Sequence, residues 1–580
     1  MSMKKFSHEK LGACVFPLDG RHHSRSRRTV YDVHYVHPLA DLHMKKDEPL
    51  QVVDLFAGPG GLGEGFSSLN NGKSFEVLVS AEMDQFARST LRLRAFYRAL
   101  KSQNPDALKD YYRFCETDGA IQPWTENSRE QWDYADREAR QIKLGTPEGN
   151  AELDAILDER LDTSRPWVLI GGPPCQAYSL VGRARNKGNS EYKAEDDSRH
   201  FLYREYLRII QSKKPAVFVM ENVKGILSSR IGGEQIFPQI LKDLADPDAA
   251  LGFGRGTGAK YKIFSLASDD FYESGMNTDE LDLSSFVIRS EKYGIPQSRH
   301  RVILVGISEE YVDGSEEHKL TPVQGATVSD MIGTLPPLRS TLSRGNDNPD
   351  SWCCEILDHL NSLRRDLLVS GKQDILLEVE LKIVRDSFSG GRYGRGSLRV
   401  KKDKCWSGTI DNDQLDEWFL DPDLSVWLNH EARGHMSSDL KRYVYAATYA
   451  QAHNISPKGH GQFDLPGLAP LHKNWETGKF SDRFRVQLRN QTSSTITSHI
   501  SKDGHYFIHY DPNQCRSLTV REAARMQTFP DNYFFLGNRT QQYHQVGNAV
   551  PPLLAKNIAA VIERIVSSKT NSFSKECTSD

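Results

Sequence analysis

The chain has 580 residues, of which 26% are charged and 38% are apolar, and its formal net charge is −3. This length suits a large enzyme with inserts, and an aromatic share of 9% argues against a wholly disordered chain. Because 77 acidic residues outnumber 74 basic ones, the composition disfavours a wholly electrostatic nucleic-acid binder but allows one local basic groove.

The eight cysteines are scattered and form no C-x-x-C pair, so we expect no structural metal site. Such a set is typical of a reduced, intracellular protein. The first ten residues lack the apolar stretch of a signal peptide, and no apolar run approaches the roughly 18 residues of a membrane span. The sequence therefore predicts a soluble, cytoplasmic protein without a membrane partner.

The first third of the chain shows a strand and helix rhythm. Residues 51–56 predict a buried strand with a glycine-rich loop after it, and apolar residues at helical spacing from Phe86 predict a helix. Residues 101–160 are polar and helix-prone and are predicted to be an insertion. Further strands are predicted over 167–170, 216–220 and 301–306. This alternation indicates an α/β domain with a mainly parallel sheet.

Beyond residue 321 this rhythm stops, which predicts a separate domain. A helix is predicted from Trp352 to about Val384, before a Gly/Arg-rich stretch, and another over 553–566. The predicted organisation is an N-terminal arm (1–48), two parts of an α/β domain (49–321 and 491–567), an inserted domain (322–490) and a loose tail (568–580).

Two loops at strand ends carry residue types suited to chemistry. Glycines from Gly58 to Gly63 let the backbone approach a ligand, and Glu82 after the next apolar stretch can accept hydrogen bonds from ribose hydroxyls. This pattern leaves both a nicotinamide dinucleotide and S-adenosylmethionine open, and a glycine turn that binds nothing is the structural alternative. Cys175, on a rigid Pro-Pro loop after the second strand, is a candidate nucleophile.

Three more segments carry polar or charged residues that are candidates for a site. Glu221 ends an apolar strand, either facing water or pointing into the crevice of Cys175. Alternation places Gln297, Arg299 and Arg301 on one face of an extended segment, where guanidinium groups could bind an oxyanion. Thr519 with Glu522 three residues later forms a capping box and could be purely structural.

Together, and in this order, these segments resemble the DNA cytosine-5 methyltransferase family. The resemblance covers about residues 50–310 and 495–560. It rests on the motifs D-L-F-A-G, P-C-Q, E-N-V, Q-x-R-x-R, R-x-L-T-x-R-E and G-N-x-V. It implies a Rossmann-like domain that depends on S-adenosylmethionine, with a smaller target-recognition domain at 322–490.

The resemblance also implies a mechanism. Cys175 adds to C6 of a cytosine, while Glu221 holds N3 and the exocyclic amine. Arg301 contacts O2, and Arg299 supports Cys175 or the nucleotide. The activated C5 takes the methyl group of S-adenosylmethionine after the base has flipped out of duplex DNA.

The family also implies binding residues. At the cofactor they are Phe56, Ala57, Gly58, Gly60, Gly61, Glu82, Met83, Pro174, Asn548 and Val550. At the DNA they are Gln176, Ser179, Arg183, Arg185, Gln297, Arg392, Arg395 and Arg399. Double-stranded DNA is the expected partner of a monomer, and the family suggests a restriction–modification or phage-defence role with a restriction endonuclease or other defence protein alongside.

Two features depart from the family pattern. Met83 stands where an aromatic residue often packs on the cofactor, and no G-D-I segment precedes the P-C-Q loop, so the acidic residue at the adenine is unassigned. Three alternatives are weighed: a tRNA cytosine-5 methyltransferase, an inactive DNA-binding regulator and a nicotinamide oxidoreductase. The large domain at 322–490 argues against the tRNA enzyme. An inactive regulator is disfavoured by the intact Cys175, Glu221 and Arg301. An oxidoreductase would leave the P-C-Q and E-N-V motifs without a role.

The charges are expected to separate on the surface. Basic residues gather over 183–187, 299–301 and 392–404, whereas acidic ones fill residues 106–162. The sequence thus predicts a basic cleft that binds DNA in a salt-dependent way on a protein with an acidic back.

Overall fold

The computed structural model describes residues 48–118, 121–174, 202–231, 233–253, 258–312, 318–470, 475 and 483–576. Residues 1–47 of the predicted arm lie outside these ranges. So does the segment that carries Cys175, Gln176, Ser179, Arg183 and Arg185.

Short strands recur along the whole described chain. They are β1 (Leu50–Leu55), β2 (Phe75–Glu82), β3 (Ala139–Gln141), β4 (Trp167–Gly171), β5 (Val217–Val223), β6 (Arg230–Ile231), β7 (Glu234–Gln235), β8 (Tyr261–Phe264), β9 (Phe271–Tyr272), β10 (Val287–Arg289), β11 (Gln297–Ser298), β12 (His300–Ser308), β13 (Thr341–Leu342), β14 (Gly396–Lys401), β15 (Val426–Glu431), β16 (Gly434–His435) and β17 (Ser493–Ser494).

Helices alternate with the strands in the first half and dominate the second. They are α1 (Gly61–Ser68), α2 (Gln85–Gln103), α3 (Leu108–Glu116), α4 (Arg129–Glu138), α5 (Pro147–Arg160), α6 (Leu202–Lys213), α7 (Ile236–Ala245), α8 (Pro247–Leu251), α9 (Val328–Ile332), α10 (Pro349–Val369), α11 (Ile375–Asp386), α12 (Asp413–Phe419), α13 (Ser437–His453), α14 (Gly459–Gln462), α15 (Val520–Met526), α16 (Arg539–Asn548) and α17 (Pro552–Glu576). Within the described ranges, no helix is both long enough and apolar enough to cross a membrane.

One sheet of nine strands, counted over the described residues, organises the first half of the chain. Its order is β3-β2-β1-β4-β5-β12-β8-β9, with β10 also paired to β12. The first five strands are parallel, and β12 runs antiparallel to β5 and β8. The predicted α/β fold and all four predicted strands are confirmed, and the fourth is antiparallel. The remaining strands form four two-stranded pairs: β6–β7, β11–β17, β13–β16 and β14–β15.

Helices cover both faces of this sheet, which explains the nearly continuous apolar runs of its central strands. On one face, Phe66 of α1 and Ile558 of α17 pack with Val52 and Val168. On the other face, a second cluster joins Leu169 to the helices α5, α6 and α7.

The expectation that all of residues 101–160 form an insertion is corrected by β3. This strand pairs with β2 and forms the edge of the central sheet. Leu153 and Leu157 of α5 are buried in the same cluster as Val53. Polar composition hid this role because a three-residue edge strand carries little apolar signal.

Two helix predictions also need correction. The single helix predicted from Trp352 to Val384 is two helices, because Gly371 adopts a left-handed φ of 70° and Asp374 caps α11 by accepting a hydrogen bond from the Leu377 N–H. The predicted loose tail is helical as far as Glu576. No Gly or Pro interrupts residues 553–576, so α17 continues.

The region 322–490 packs around its own apolar cluster. Trp352 of α10, Leu381 of α11 and Tyr443 of α13 are buried together. However, α9 packs instead with residues that follow position 495, such as Leu518 and Val520. The predicted domain boundaries stay a prediction.

The α1–α17 contact provides a test of the fold. A Cβ at Gly65 would overlap the Ala555 Cβ and the Pro552 carbonyl oxygen, so Gly65→Ala should lower the free energy of unfolding by about 1–3 kcal/mol. Chemical denaturation measures this. Gly461→Ala is the matched control, because a Cβ there meets nothing within 4 Å. Equal effects of the two substitutions would contradict the packing argument.

Candidate active site

The order of the parallel strands fixes where a site can form. The chain winds outward in one direction from β1 to β3 and in the other from β4 to β5, so a crevice opens at the carboxyl ends of β1 and β4. Leu55 and Gly171, the last residues of these two strands, pair in register. The glycine loop and the Pro-Pro loop therefore begin side by side.

The glycine loop turns sharply out of β1. Phe56, Gly58 and Gly60 have φ values of 58°, 59° and 92°, all left-handed. The Gly58 N–H donates to Oε2 of Glu82 at 2.8 Å, which ties the loop to the end of β2. A Cβ at Gly61 would overlap the Val550 carbonyl oxygen, so the C-terminal part of the chain closes this side of the loop.

Glu82 offers a held carboxylate at the crevice. Its Oε1 accepts the Asp84 N–H at 2.7 Å, while Oε2 accepts from Gly58. Burial raises the pKa of Glu82, and these two backbone donors oppose the rise. Beside it Met83 is 61% exposed, and Gln141 at the end of β3 donates to the Met83 carbonyl oxygen.

Asp54 is a group that the sequence did not single out. Its side chain is fully buried beneath the loop, where a Cβ on Gly63 would lie 3.1 Å from Oδ2. Burial raises its pKa well above the usual range, and the charges of Glu138 and Glu82 raise it further. The available signal was an acidic residue near the end of a largely apolar strand.

Glu221 lies beside the Pro-Pro loop. Its Oε1 accepts a hydrogen bond from Nε of Arg301 at 2.9 Å, across the antiparallel pair β5–β12. Oε2 lies on the side of Gly172, where an added Cβ would come within 3.2 Å. Burial lowers the pKa of Arg301, and Glu221 opposes this. Glu221 and Arg301 are thus brought together as a pair at the crevice.

Arg299 is held by contacts inside the protein. It is buried, and its Nη1 donates to the Ile496 carbonyl at 2.8 Å and more weakly to that of Gly547. Burial lowers its pKa, and the charge of Arg301 lowers it further. Its contacts link the residue before β12 to the segment that leads to the exposed Asn548 and to Val550.

Two of the expected DNA contacts are corrected. Gln297 is fully buried, donating to the Met526 carbonyl oxygen and accepting the Ile496 N–H, so its amide is not presented to DNA. Arg399 donates to the Phe114 and Cys115 carbonyl oxygens at the end of α3. Basic side chains commonly bind the free carbonyl oxygens at the end of a helix, and Arg399 does so here, so these donors are not directed to DNA.

The remaining predicted basic residues are divided. Arg392, Arg395, Lys401 and Lys404 are exposed, whereas Lys402 is half-buried and donates to the Asp421 carbonyl oxygen. The predicted basic cleft stays a prediction, since residues 183–187 lie outside the described ranges.

The R-x-L-T-x-R-E segment, residues 516–522, makes its side-chain contacts inside the protein. Arg516 donates through Nη1 and Nη2 to both oxygens of Glu522 at 2.7 Å, with both side chains buried. Arg525 binds Asp531 in the same two-bond manner. No group of three metal-ligating side chains occurs in the described ranges.

Comparison with known proteins identifies the family. Residues 131–248 and 414–564 match the family described as C-5 cytosine-specific DNA methylase. Type II methyltransferase M.Bpa9945I of Bacillus paralicheniformis is 33% identical over 89% of this chain and 99% of its own length. Type II methyltransferase M.AgeI of Thalassovita gelatinovora is 24% identical over 89% and 100%. DNA (cytosine-5-)-methyltransferase M.ApeKI of Aeropyrum pernix is 24% identical over 69% and 81%.

The crevice, its carboxylates and these matches define a methyltransferase with an α/β fold. The chain belongs to the C-5 cytosine-specific DNA methylase family and is an enzyme of the DNA (cytosine-5-)-methyltransferase class.

The Arg516–Glu522 pair gives a prediction about stability. Glu522→Gln should cost about 3–5 kcal/mol, because it leaves a buried guanidinium without its charge partner. Burial acts to raise the pKa of Glu522, but Arg516 holds it below the ordinary value. The stability from this pair is thus present above the unfolded-state pKa and lost as the pH falls through the folded one.

Denaturant unfolding at several pH values tests this expectation. Asp133→Asn, which breaks the exposed Arg129–Asp133 pair, is the matched control and should cost less than about 0.5 kcal/mol. Equal losses in both variants would contradict the role of the buried pair.

Proposed function

We propose that this enzyme transfers a methyl group from S-adenosylmethionine to C5 of a cytosine flipped out of a specific duplex DNA sequence, through a covalent bond between Cys175 and C6. The observation that carries the proposal is the Glu221–Arg301 pair beside the loop that leads to Cys175. Family membership supports the reaction class.

The residues at the end of β1 and β2 fit the cofactor. An ionised carboxylate has about four acceptor positions, so Glu82 keeps acceptor capacity for the ribose hydroxyls after accepting from Gly58 and Asp84. The space next to Gly58 is open, since a Cβ there meets nothing within 4 Å. Phe56 and Met83, with Gln141 hydrogen-bonded to the Met83 carbonyl oxygen, would contact the adenine. S-adenosylmethionine, when bound, supplies an electrophilic methyl group on its sulfonium.

The other cofactor residues of the resemblance divide between two loops. Ala57, Gly60 and Gly61 belong to the glycine loop, while Pro174 belongs to the loop after β4. Val550 packs against Gly61, and the exposed Asn548 lies two residues before it. We propose that these loops enclose the methionine part of the cofactor.

The protein groups then act on the cytosine. The Cys175 thiolate forms a bond to C6, and the electron pair of the C5–C6 double bond moves toward C5. Glu221 would accept a hydrogen bond from the exocyclic amine and hold a proton at N3, which stabilises the charge that develops on the ring. After C5 has taken the methyl group, loss of the C5 proton re-forms the C5–C6 double bond as the C6–S bond breaks and Cys175 leaves as thiolate. Arg301 fixes Oε1 of Glu221 and would reach O2 of the base.

DNA binding is proposed for the region 322–490 and for the loop after Cys175. Arg392 and Arg395 are exposed and suit phosphate contacts. By the family resemblance, Gln176, Ser179, Arg183 and Arg185 are proposed as further DNA contacts. Arg299 is proposed to position the Asn548 segment.

A host role follows from the names of the relatives. M.Bpa9945I and M.AgeI are named type II methyltransferases. We propose that this chain marks DNA in the cytoplasm against a restriction endonuclease of the same specificity. Sequencing methylated cytosines in cells that express the chain would reveal the target sequence. Methylation of tRNA but not of duplex DNA would contradict the proposal.

The role of Glu82 predicts a pH dependence of cofactor binding. Because burial raises its pKa, affinity for S-adenosylmethionine should fall as the pH drops through a value above that of an ordinary glutamate. Glu82→Gln should weaken binding by about 10–100-fold at neutral pH and remove this step. Calorimetric titration measures both effects, with the exposed Glu234→Gln as control. An unchanged pH profile in Glu82→Gln would argue against this role.

The covalent step predicts a separation of chemistry from cofactor binding. Cys175→Ser should abolish methyl transfer, because an unactivated hydroxyl is a far weaker nucleophile, while affinity for S-adenosylmethionine changes by less than about twofold. Transfer of labelled methyl groups to duplex DNA is the measurement. Cys354→Ser, at an exposed cysteine, should stay active. Full activity of Cys175→Ser would rule out the mechanism.

A further inference from the structure

Tyr533 is a buried tyrosine that reaches the glycine loop from the C-terminal part of the chain. Its hydroxyl donates a hydrogen bond to the carbonyl oxygen of Pro59, which lies 474 residues earlier in the sequence. A Cβ on Gly60 would lie 3.1 Å from the same hydroxyl oxygen. Tyr533 is 1% exposed, so this contact with the loop is made inside the protein.

The glycine loop has an open part and a buried part. Residues 56–58 are half-buried and lie at the crevice, whereas Pro59 and Gly60 are buried. In the open part, the Gly58 N–H is bound by Glu82. In the buried part, Pro59 has no N–H, so its carbonyl oxygen is the backbone group by which it can be held. Groups from two distant parts of the chain thus hold two consecutive residues of the loop.

The backbone of this loop has little conformational preference of its own. Gly58 and Gly60 have left-handed φ values, and glycine populates this region about as readily as the right-handed one. Ordering a flexible backbone costs entropy, and a ligand bears that cost when the loop is not ordered beforehand. A bond that orders the loop in the free enzyme therefore raises affinity without touching the ligand.

Tyr533 is itself fixed by its surroundings. Its ring packs against Phe529 and Phe535, with centroid distances of 4.8 and 5.2 Å. The guanidinium carbon of Arg94 lies 4.9 Å from the Tyr533 ring centroid. Arg94 also donates to both carboxylate oxygens of Glu64 on α1, the helix that begins directly after the loop. These contacts fix the position of the Tyr533 hydroxyl relative to the start of α1.

We propose that Tyr533 is a positioning residue for S-adenosylmethionine, an inference that rests on the cofactor site proposed above. Its hydroxyl holds the Pro59 carbonyl oxygen, so the loop presents Gly58 to Glu82 before the cofactor arrives. Because Tyr533 is buried, it acts on the cofactor through the loop and not by direct contact. Its contribution is therefore to cofactor affinity and not to the chemical step.

Removal of the hydroxyl tests the proposal. Tyr533→Phe keeps the ring and should raise the Kd for S-adenosylmethionine about 3–10-fold, which corresponds to one net hydrogen bond. Calorimetric titration of the full chain measures this change. Initial rates should show a similar rise in the KM for S-adenosylmethionine, while kcat at saturating cofactor and the KM for duplex DNA change by less than about twofold.

Tyr261→Phe is the matched control. Tyr261 is also 1% exposed, and its hydroxyl donates to the carbonyl oxygen of the buried Pro215 at 2.9 Å. Pro215 lies two residues before β5 begins, at the amino ends of the parallel strands, whereas the crevice lies at their carboxyl ends. Denaturant unfolding should show similar losses of stability in the two variants, but Tyr261→Phe should leave cofactor affinity unchanged.

The possible outcomes separate this inference from the proposed function. If Tyr533→Phe binds S-adenosylmethionine as tightly as the unmodified chain, this inference alone is wrong. Equal losses of affinity in the two variants would also overturn it, because they would show a general effect of lower stability. An unmodified chain that does not bind S-adenosylmethionine would overturn both the inference and the proposed function.

Hydrogen exchange of the unmodified chain gives a second test that needs no variant to fold. Without cofactor, the N–H groups of Gly58 and Gly60 should already exchange slowly, because each is hydrogen-bonded in the ordered loop, to Glu82 and to the Ala57 carbonyl oxygen. Exchange as fast as in an unstructured peptide, with protection only after S-adenosylmethionine is added, would contradict a loop that is ordered in advance.

Discussion

The change of winding direction between β1 and β4 is the constraint on which the site depends. Because the two strands are parallel neighbours whose helices leave toward opposite sides, the loops after Leu55 and Gly171 start side by side without a helix between them. The glycine loop, Glu82 and the Pro-Pro loop come from positions far apart in the chain. Their meeting follows from strand order, and no local property of any one loop would bring it about.

Residues near the end of the chain, which belong to none of the parallel strands, close one side of this crevice. Val550 packs against Gly61, and Arg299 holds the Gly547 carbonyl oxygen, so the last helices are fixed relative to the first loop. Buried arginines, with Arg516 on Glu522 and Arg525 on Asp531, stabilise the segment that leads there. Charge buried in this way is costly to leave unpaired, so these motif residues support the site without touching a substrate.

The region between the two parts of the α/β domain makes hydrogen bonds to α3, which lies in the first part of that domain. Arg399 on β14 binds the carbonyl end of α3, and Tyr112 of α3 binds Asp421. The polar segment that looked like a surplus insert thus supports the β14–β15 pair and, further on, supplies the sheet with its edge strand. A short edge strand and a capping arginine leave almost no periodic pattern, so the sequence could not predict either.

The sequence by itself determined the fold class, four central strands, the glycine loop with Glu82, and the family through its ordered motifs. These follow from local periodicity and from residue types at fixed spacing, which need no knowledge of distant contacts. Only the tertiary structure decided that Glu221 pairs with Arg301 and that Gln297 and Arg399 bind carbonyl oxygens inside the protein. A side chain's partner is set by what the fold packs against it, and two arginines of identical local pattern can meet a carboxylate or a carbonyl.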